Sequence, residues 1–177
     1  MLQCIQWCNL LKIMTINKVL TRDNKPTDEL QRLINKEYKG VKFNYSEVYY
    51  LDFEVNEDTG SIDNNKLVEH FTKDQVDRNM KSLKSAFMVA KGAIAPKEIS
   101  DFRAKYKIAA SSLSIILGFS KNTISNIENG GIASLPSGRF IKVCLNNIEL
   151  LCQYVESCSS LDIPKKQEII ERLRTNF

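Results

Sequence analysis

The sequence predicts a mostly α-helical protein with a small antiparallel β part. A Val-, Tyr- and Phe-rich stretch at residues 38–55, bounded by turn formers, indicates a small sheet in the N-terminal part. From residue 72 onward, apolar residues recur at helical spacing. The linker VAKGAIA, directly before Pro96, indicates a domain boundary. We therefore expect a small N-terminal α+β domain and a C-terminal domain of five helices.

The composition is that of a globular chain. Its 177 residues suffice for two small domains. With 43% hydrophobic residues, 26% charged residues, 7 Gly and 4 Pro, the chain is neither collagen-like, nor low-complexity, nor wholly disordered. The apolar stretch IQWCNLLKIM is short and broken by Lys12, so we predict neither a membrane span nor a secretion signal. We therefore expect the protein to be cytoplasmic.

The five cysteines are odd in number and contain no C-x-x-C pair. A disulfide framework or a zinc ribbon would need paired, regular spacing. We therefore predict free, buried thiols of a reducing compartment and no metal site. The cysteines are Cys4, Cys8, Cys144, Cys152 and Cys158.

Residues 1–13 read as a doubtful leader, which a genuine N-terminal helix or an upstream start codon would both explain. Residues 14–92 form the predicted α+β region, which we expect to bind a partner. After a polar break at Pro26, the spacing of Leu30, Leu33 and Ile34 predicts a short helix. Residues 38–55 predict two strands, or one strand with an extended return, before the turn NEDTGS.

A long helix is predicted over residues 72–91, with Thr72 as its cap and Gly92 as its stop. Apolar residues follow one another at alternating steps of four and three along it. This stripe should pack against the sheet or against a second copy of the chain. It consists of Val76, Met80, Leu83, Phe87 and Ala90.

Residues 96–177 form the predicted helical domain. Pro96 sets the first turn of a helix with Ile99, Phe102 and Tyr106 on one face. A short helix over 110–117 ends at Gly118, and Ser120 caps a helix that runs to Glu128. Two further helical patterns complete the chain: one over 140–156 with inward Val143, Ile148, Leu151 and Val155, and one opened by Asp162 and Pro164 with Ile169, Ile170 and Leu173.

The net charge of +4 is confined to one segment. Residues 96–147 hold seven basic and three acidic side chains, a surplus of four, so the rest of the chain is neutral. A local basic surplus is expected where a protein meets phosphates, although a solvated face also produces one.

The motif LGFSKNTISNIENG, residues 117–130, gives that surplus a context. Its second helix places Ile124 and Ile127 inward and leaves Lys121, Asn122 and Asn126 outward. Asn pairs with adenine and Lys with guanine acceptors, so this face has the chemistry of a major-groove reader.

This segment resembles the helix-turn-helix domain of the phage-repressor and xenobiotic-response-element class. The resemblance implies a repressor-like DNA-binding domain in which Lys121, Asn122 and Asn126 contact bases. Ala109 and Ala110 stand where that class usually has a polar cap and a Gln, which removes a cap and one DNA contact. Candidate phosphate contacts are Ser120, Thr123, Asn129, Lys105, Lys107, Arg139 and Lys142.

The order of landmarks upstream is similar to that of MqsA-type antitoxins: Tyr38-Lys39-Gly40, then Asp58-Thr59-Gly60, then a long helix, then residues 92–99. The resemblance implies an autorepressor and antitoxin of a type II toxin-antitoxin pair. Its partners would be a double-stranded DNA operator, a second copy in a homodimer, and a cognate toxin. Zinc-binding members carry two cysteine pairs in this region, whereas this chain has no cysteine between Cys8 and Cys144, so no metal or cofactor is predicted.

Two other function classes stay open. A protein-interaction module that has kept the helix-turn-helix fold and lost DNA binding would fit Ala109 and Ala110. An enzyme on the N-terminal sheet would have only His70 and the alternating Asp52 and Glu54 to draw on, and no phosphate-binding glycine loop precedes a helix. We therefore predict a non-enzymatic regulator on nucleoid DNA.

Overall fold

The computed structural model describes residues 17–55 and 59–175, without the side chain of Asn64. The described chain forms two compact units. The first unit comprises residues 17–37, 44–55 and 59–83, and the second comprises 38–43 and 84–175. The predicted leader at 1–13 and the first half of the NEDTGS turn, residues 56–58, lie outside the described residues. The α-helices and small antiparallel sheet agree with the predicted fold class at this level.

Five strands are described, all in the first half of the chain. The short strands β1 and β2 form an antiparallel pair, and the other three form a sheet in the order β3-β4-β5. In the antiparallel β4–β5 ladder, Tyr50 stands opposite His70, and the register shifts between Phe53 and Glu54. The strands are β1 (Lys18–Leu20), β2 (Pro26–Asp28), β3 (Leu30–Tyr38), β4 (Val41–Val55) and β5 (Ile62–His70).

The prediction of a short helix around Leu30, Leu33 and Ile34 is wrong, because this segment is strand β3. Lys39 and Gly40 both adopt left-handed backbone conformations, at φ 51° and 72°, which is the geometry of a two-residue hairpin turn. The turn pairs β3 with β4, and Arg32 of β3 bonds Glu47 of β4. Cross-strand pairing therefore overrides a local helical spacing.

Residues 41–55 form one long strand, β4, rather than two. Strand β5 occupies residues 62–70, to which the sequence assigned no element. The sequence of β5 shows no regular alternation of apolar and polar residues, because most of its described side chains are exposed to solvent. The sequence therefore indicated strand structure in this region but not the number or the lengths of the strands.

Helix α1 (Lys73–Ala90) begins directly after Thr72, which is its cap as predicted. The Thr72 Oγ1 accepts a hydrogen bond from the Gln75 amide at 3.1 Å, and the Gln75 side chain accepts one from the Thr72 amide at 2.8 Å. The inward face differs from the predicted stripe, since Gln75 and Asn79 are buried while Val76 and Met80 are almost half exposed.

The buried polar side chains of α1 find specific partners. Asn79 donates to the Val48 carbonyl and accepts from the Val48 amide, both at 2.8 Å. Gln75 Nε2 donates at 3.1 Å to Glu29, a carboxylate that has no exposed surface. Satisfied polar pairs of this kind explain why the helix buries amides instead of Val76 and Met80.

Helices α2 to α7 follow Pro96, so this part holds six helices rather than five among the described residues. Their apolar faces share one core, in which Ile99, Leu113, Ile124, Ile141 and Leu151 are fully buried. The helices are α2 (Pro96–Tyr106), α3 (Ala110–Ile116), α4 (Thr123–Glu128), α5 (Leu135–Asn146), α6 (Ile148–Ser157) and α7 (Ile163–Thr175).

The sixth helix arises because the predicted segment 140–156 is broken at Asn147. Asn147 has an extended backbone, and its Oδ1 accepts a hydrogen bond from the Leu150 amide at 3.0 Å, which caps α6. The break changes the helical phase, so Val143 is 58% exposed instead of inward. Leu151 and Val155 are buried as predicted.

The cysteines of this unit agree with the prediction of free thiols. Cys144 and Cys152 are free and buried, and Cys158 is free and half-buried. Burial raises the pKa of both the Cys144 and the Cys152 thiol. Cys4 and Cys8 lie outside the described residues. Separately, none of the helices in the described ranges is long and apolar enough to span a membrane.

Candidate nucleic-acid interface

Helices α3 and α4 are joined by a tight turn that begins at Gly118. Gly118 has φ 76°, its amide bonds the Ile115 carbonyl at 3.0 Å, and the Phe119 amide bonds the Ser114 carbonyl at 2.8 Å. These two bonds and the left-handed residue form a Schellman motif, and Gly118 follows the end of α3 as the sequence predicts. The turn sends the chain back so that α4 packs on α3 and α2.

Helix α4 begins at Thr123, three residues later than predicted. Ser120 does not cap it: its carbonyl accepts from the Thr123 amide at 2.9 Å, and the Ser120 and Thr123 hydroxyls bond each other at 2.8 Å. Lys121 and Asn122 therefore belong to the turn that enters the helix, with Asn122 at the N-cap position.

The two faces of α4 differ as the sequence predicts. Ile124 has no exposed surface and Ile127 only 5%, so this face is locked into the core. Lys121, Asn122 and Asn126 are exposed, and none of their side chains makes a hydrogen bond or ion pair within the described residues. The structure thus leaves one cation and two amides free along a single short element.

The end of α4 is fixed by its two glycines. Gly130 has φ 91°, and the Gly131 amide donates to the Asn126 carbonyl at 2.7 Å. A Cβ atom on Gly131 would lie 2.6 Å from that carbonyl oxygen, so only glycine fits there. The Asn129 side-chain amide donates to the Ser125 carbonyl at 2.8 Å, so its nitrogen is engaged within the helix end.

A buried ion pair ties the same end of α4 to α2. Arg103 Nη1 donates to both Glu128 oxygens, at 2.7 and 2.6 Å, and its Nε donates to the Ile108 carbonyl at 3.1 Å. Both side chains are largely buried, with 24% and 14% of their surface exposed. Arg103 is therefore a structural cation and is not available to a phosphate.

The ion pairs show which basic side chains of residues 96–147 are neutralised by a carboxylate. Lys97 pairs with Asp101, Arg103 with Glu128, and Lys142 with Glu98 at 3.6 Å, which uses all three acidic side chains of residues 96–147. Four basic side chains of this segment have no acidic partner among the described residues, and all four are exposed: Lys105, Lys107, Lys121 and Arg139.

The basic side chains predicted to contact phosphates differ in the contacts that they already make within the protein. Lys105 lies over the Tyr106 ring at 4.8 Å, and Arg139 donates to the Lys91 carbonyl at 2.7 Å. Lys107, at φ 52°, closes α2. Lys142 is the weakest candidate, because a carboxylate already neutralises it.

Ala109 occupies the N-cap position of α3 and makes no side-chain hydrogen bond there. A Ser, Thr, Asp or Asn at that position would satisfy an amide at the start of the helix. The start of α3 therefore lacks the polar cap whose absence the sequence indicates.

The residues considered for an enzyme serve other contacts. Glu54 pairs with Lys66 at 2.8 Å, and Asp52 lies 3.9 Å from Arg22. His70 packs against the Tyr50 ring, with centroids 5.7 Å apart. No group of His, Cys, Asp and Glu side chains within residues 17–55 and 59–175 could hold a metal ion.

Sequence reasoning missed two features that support α4. Neither the Arg103–Glu128 pair nor the buried Ser114 hydroxyl was singled out. The Ser114 Oγ accepts a hydrogen bond from the Ile124 amide at 3.0 Å and donates to the Ala110 carbonyl at 2.9 Å. A serine among the apolar residues of LSIIL was the available signal, since buried hydroxyls usually have a specific partner.

Comparisons with known proteins add no relative: no family model, no curated protein and no solved structure matches this chain.

Proposed function

We propose that this protein is a sequence-specific DNA-binding regulator, with α4 and the turn before it entering the major groove. The observation that carries the proposal is the division of this element into a buried Ile124/Ile127 face and a face with Lys121, Asn122 and Asn126 free of internal bonds. Free amides and a free ammonium match the hydrogen-bonding groups of base edges. Lys105, Lys107 and Arg139 supply unpaired positive charge for the backbone.

A homodimer on a two-fold operator is part of the proposal. Two recognition helices should then lie about 34 Å apart and read half-sites one helical turn apart. A nuclease footprint that covers two such half-sites is the expected result. A footprint of a single half-site at saturating protein would contradict the dimer.

The antitoxin role is the more specific part of the proposal. It rests on the resemblance to MqsA-type antitoxins and on the apolar side chains that the first unit leaves exposed, among them Leu33, Leu67, Val76 and Met80. Under the proposal, a bound toxin would cover these side chains. A toxin gene beside this one, whose product co-purifies with the protein, is the expected finding for this cytoplasmic, nucleoid-bound regulator.

The experiment that tests DNA binding is fluorescence anisotropy on DNA upstream of the protein's own gene and on a scrambled duplex of the same composition. Lys121→Ala combined with Asn126→Ala should abolish the preference for the native duplex. A matched control, Lys81→Ala with Asn146→Ala, removes one exposed Lys and one exposed Asn elsewhere and should retain it. Equal binding of the wild type to both duplexes would contradict the proposal.

One observation favours a second candidate, an interaction module without DNA binding. The uncapped start of α3 at Ala109 lacks a group that could serve both the helix and a phosphate. Under this alternative, the wild type binds all duplexes weakly and equally, and the Lys121/Asn126 double variant binds its protein partner normally.

A further inference from the structure

The N-terminus of α4 is capped from another helix. Asn122 is the N-cap residue, and Asn ordinarily accepts a hydrogen bond from an amide two or three positions later. Here Asn122 has φ −99° and ψ 0° and makes no side-chain cap bond. The amide two positions later, that of Ile124, donates instead to the Ser114 hydroxyl at 3.0 Å.

The Ser114 hydroxyl is held in place for this task. The side chain has no exposed surface, and its Oγ donates its own proton to the Ala110 carbonyl at 2.9 Å. With the proton committed to that carbonyl, a lone pair faces the Ile124 amide. The Ser114 carbonyl also accepts from the Phe119 amide, which fixes the turn around the same residue.

We infer that Ser114 is a positioning residue that takes over the capping of α4 and so leaves the Asn122 side chain free to contact a base. The inference rests on the proposed DNA-binding function for its second half only. Its first half, the capping of Ile124 by Ser114, concerns the protein alone.

The reason is that two acceptors, the Ser114 hydroxyl and the Asn122 side-chain oxygen, compete for one donor, the Ile124 amide. Burying an amide without an acceptor is unfavourable, so the Ile124 amide will recruit a new partner if the hydroxyl is removed. The side chain that ordinarily accepts from this amide is that of the N-cap residue, Asn122. In Ser114→Ala we therefore expect Asn122 to turn inward as an ordinary N-cap and to lose its exposure.

The experiment has two readouts on the purified full chain. Amide hydrogen exchange, followed by NMR, should show Ile124 exchanging at least about tenfold faster in Ser114→Ala and still faster in Ser114→Ala/Asn122→Ala, where no replacement cap exists. Ser112→Ala, on the same helix and without a side-chain hydrogen bond in the described chain, is the control and should leave Ile124 unchanged. Thermal unfolding confirms that each variant is folded.

The second readout is a double-mutant cycle on the preferred duplex and on single-base variants of it. Asn122→Ala should lose about tenfold in discrimination at one base. Ser114→Ala should lose a similar factor at the same base, and the double variant should lose little more, because both changes remove one contact. The salt dependence of binding should stay the same, because no phosphate contact is lost.

The outcomes separate the two halves. Unchanged Ile124 exchange in Ser114→Ala would overturn the capping role, whatever the DNA results. Additive losses, or a loss at all bases alike, would overturn the link between Ser114 and Asn122. A wild type that discriminates among no duplexes would refute the proposed function and the base-contact half, while the exchange result would still decide the capping half.

Discussion

Replacing Glu29 by Gln tests how the first unit holds together. Glu29 is fully buried between β2 and β3, and Arg78 donates to both of its carboxylate oxygens. Gln75 donates to one oxygen at 3.1 Å and Asn17 to the other at 3.3 Å. Glutamine keeps the shape of the side chain, but removes the negative charge and turns one acceptor into a donor that faces other donors.

The magnitude follows from burial. Removing one partner of a buried ion pair costs about 3–5 kcal/mol when the other charge is left unpaired inside the protein. Arg78 is 38% exposed and keeps Asp74 as a second partner at 2.8 Å, so its charge is partly hydrated. We therefore expect Glu29→Gln to lower the free energy of unfolding by about 2–3 kcal/mol.

Urea unfolding at pH 7, followed by near-ultraviolet circular dichroism, reports on this unit through Tyr45, Tyr49 and Tyr50, which are three of the six tyrosines of the chain. The matched control is Glu69→Gln, which breaks the more exposed contact with Arg32 and should cost less than about 1 kcal/mol. A loss of less than about 0.5 kcal/mol in Glu29→Gln would refute the reasoning.

The pH dependence provides a second check. The hydrogen bonds from Arg78 hold the pKa of Glu29 below its ordinary value. A carboxyl whose folded pKa is lowered adds stability that is fully present above its unfolded pKa, about 4.3, and is lost as pH falls through the folded pKa. The gap between wild type and Glu29→Gln should be constant from pH 7 to about pH 5.5 and shrink below about pH 4. A gap of the same size at pH 3 would contradict this role.

Three further predictions concern the helical unit. Gly131→Ala should destabilise it by about 1–3 kcal/mol, because the new Cβ would lie 2.6 Å from the Asn126 carbonyl oxygen; chemical denaturation measures this. Glu128→Gln should cost about 2–3 kcal/mol by the same assay, because it leaves the largely buried Arg103 unpaired. Cys144 should resist iodoacetamide at pH 8 in the folded protein and react in urea, because burial raises the pKa of its thiol and blocks access.

Control variants distinguish these specific effects from a nonspecific loss of stability. Gly118→Ala, at φ 76° but with open space around it, should cost about 1–2 kcal/mol from backbone strain alone. Asp101→Asn breaks only the exposed pair with Lys97 and should cost less than about 0.5 kcal/mol. A Gly131→Ala protein as stable as the wild type would contradict the close approach, and rapid alkylation of Cys144 in the native state would contradict its burial.

Local signals predicted most of the helical unit. The boundaries at Pro96, Gly118 and Gly130 follow from backbone chemistry that a single residue carries. The strand β3 did not follow, because Leu30, Leu33 and Ile34 match a helical spacing by chance, and their pairing partner lies beyond the turn. Strand pairing is a non-local property, and it decides such ambiguous segments.

The inward face of α1 shows the same limit. The apolar spacing predicted that Val76 and Met80 face inward, whereas Gln75 and Asn79 are buried. Gln75 is bonded to Glu29, and Asn79 is bonded to the backbone amide and carbonyl of Val48. Those partners lie 31 or more residues away in sequence. No pattern within the helix could have indicated them.

At the candidate site, helical geometry predicted the exposure of Asn126, which needs only the spacing of Ile124 and Ile127. Lys121 and Asn122 are also exposed, but they lie in the turn before α4, which the sequence assigned to the helix. The start of α4 could not be placed the same way. It depends on the hydrogen bond from the Ile124 amide to Ser114, which crosses the turn between two helices.

The most direct test of the central claim is the base discrimination of Asn126→Ala. Duplexes selected from a random pool by the wild type would be compared with single-base variants at two salt concentrations. The proposal predicts a loss of about 1–3 kcal/mol on the selected duplex, a relaxed preference at one position and an unchanged salt slope. An equal loss on every duplex, or no selection by the wild type, would contradict a base-reading role for α4.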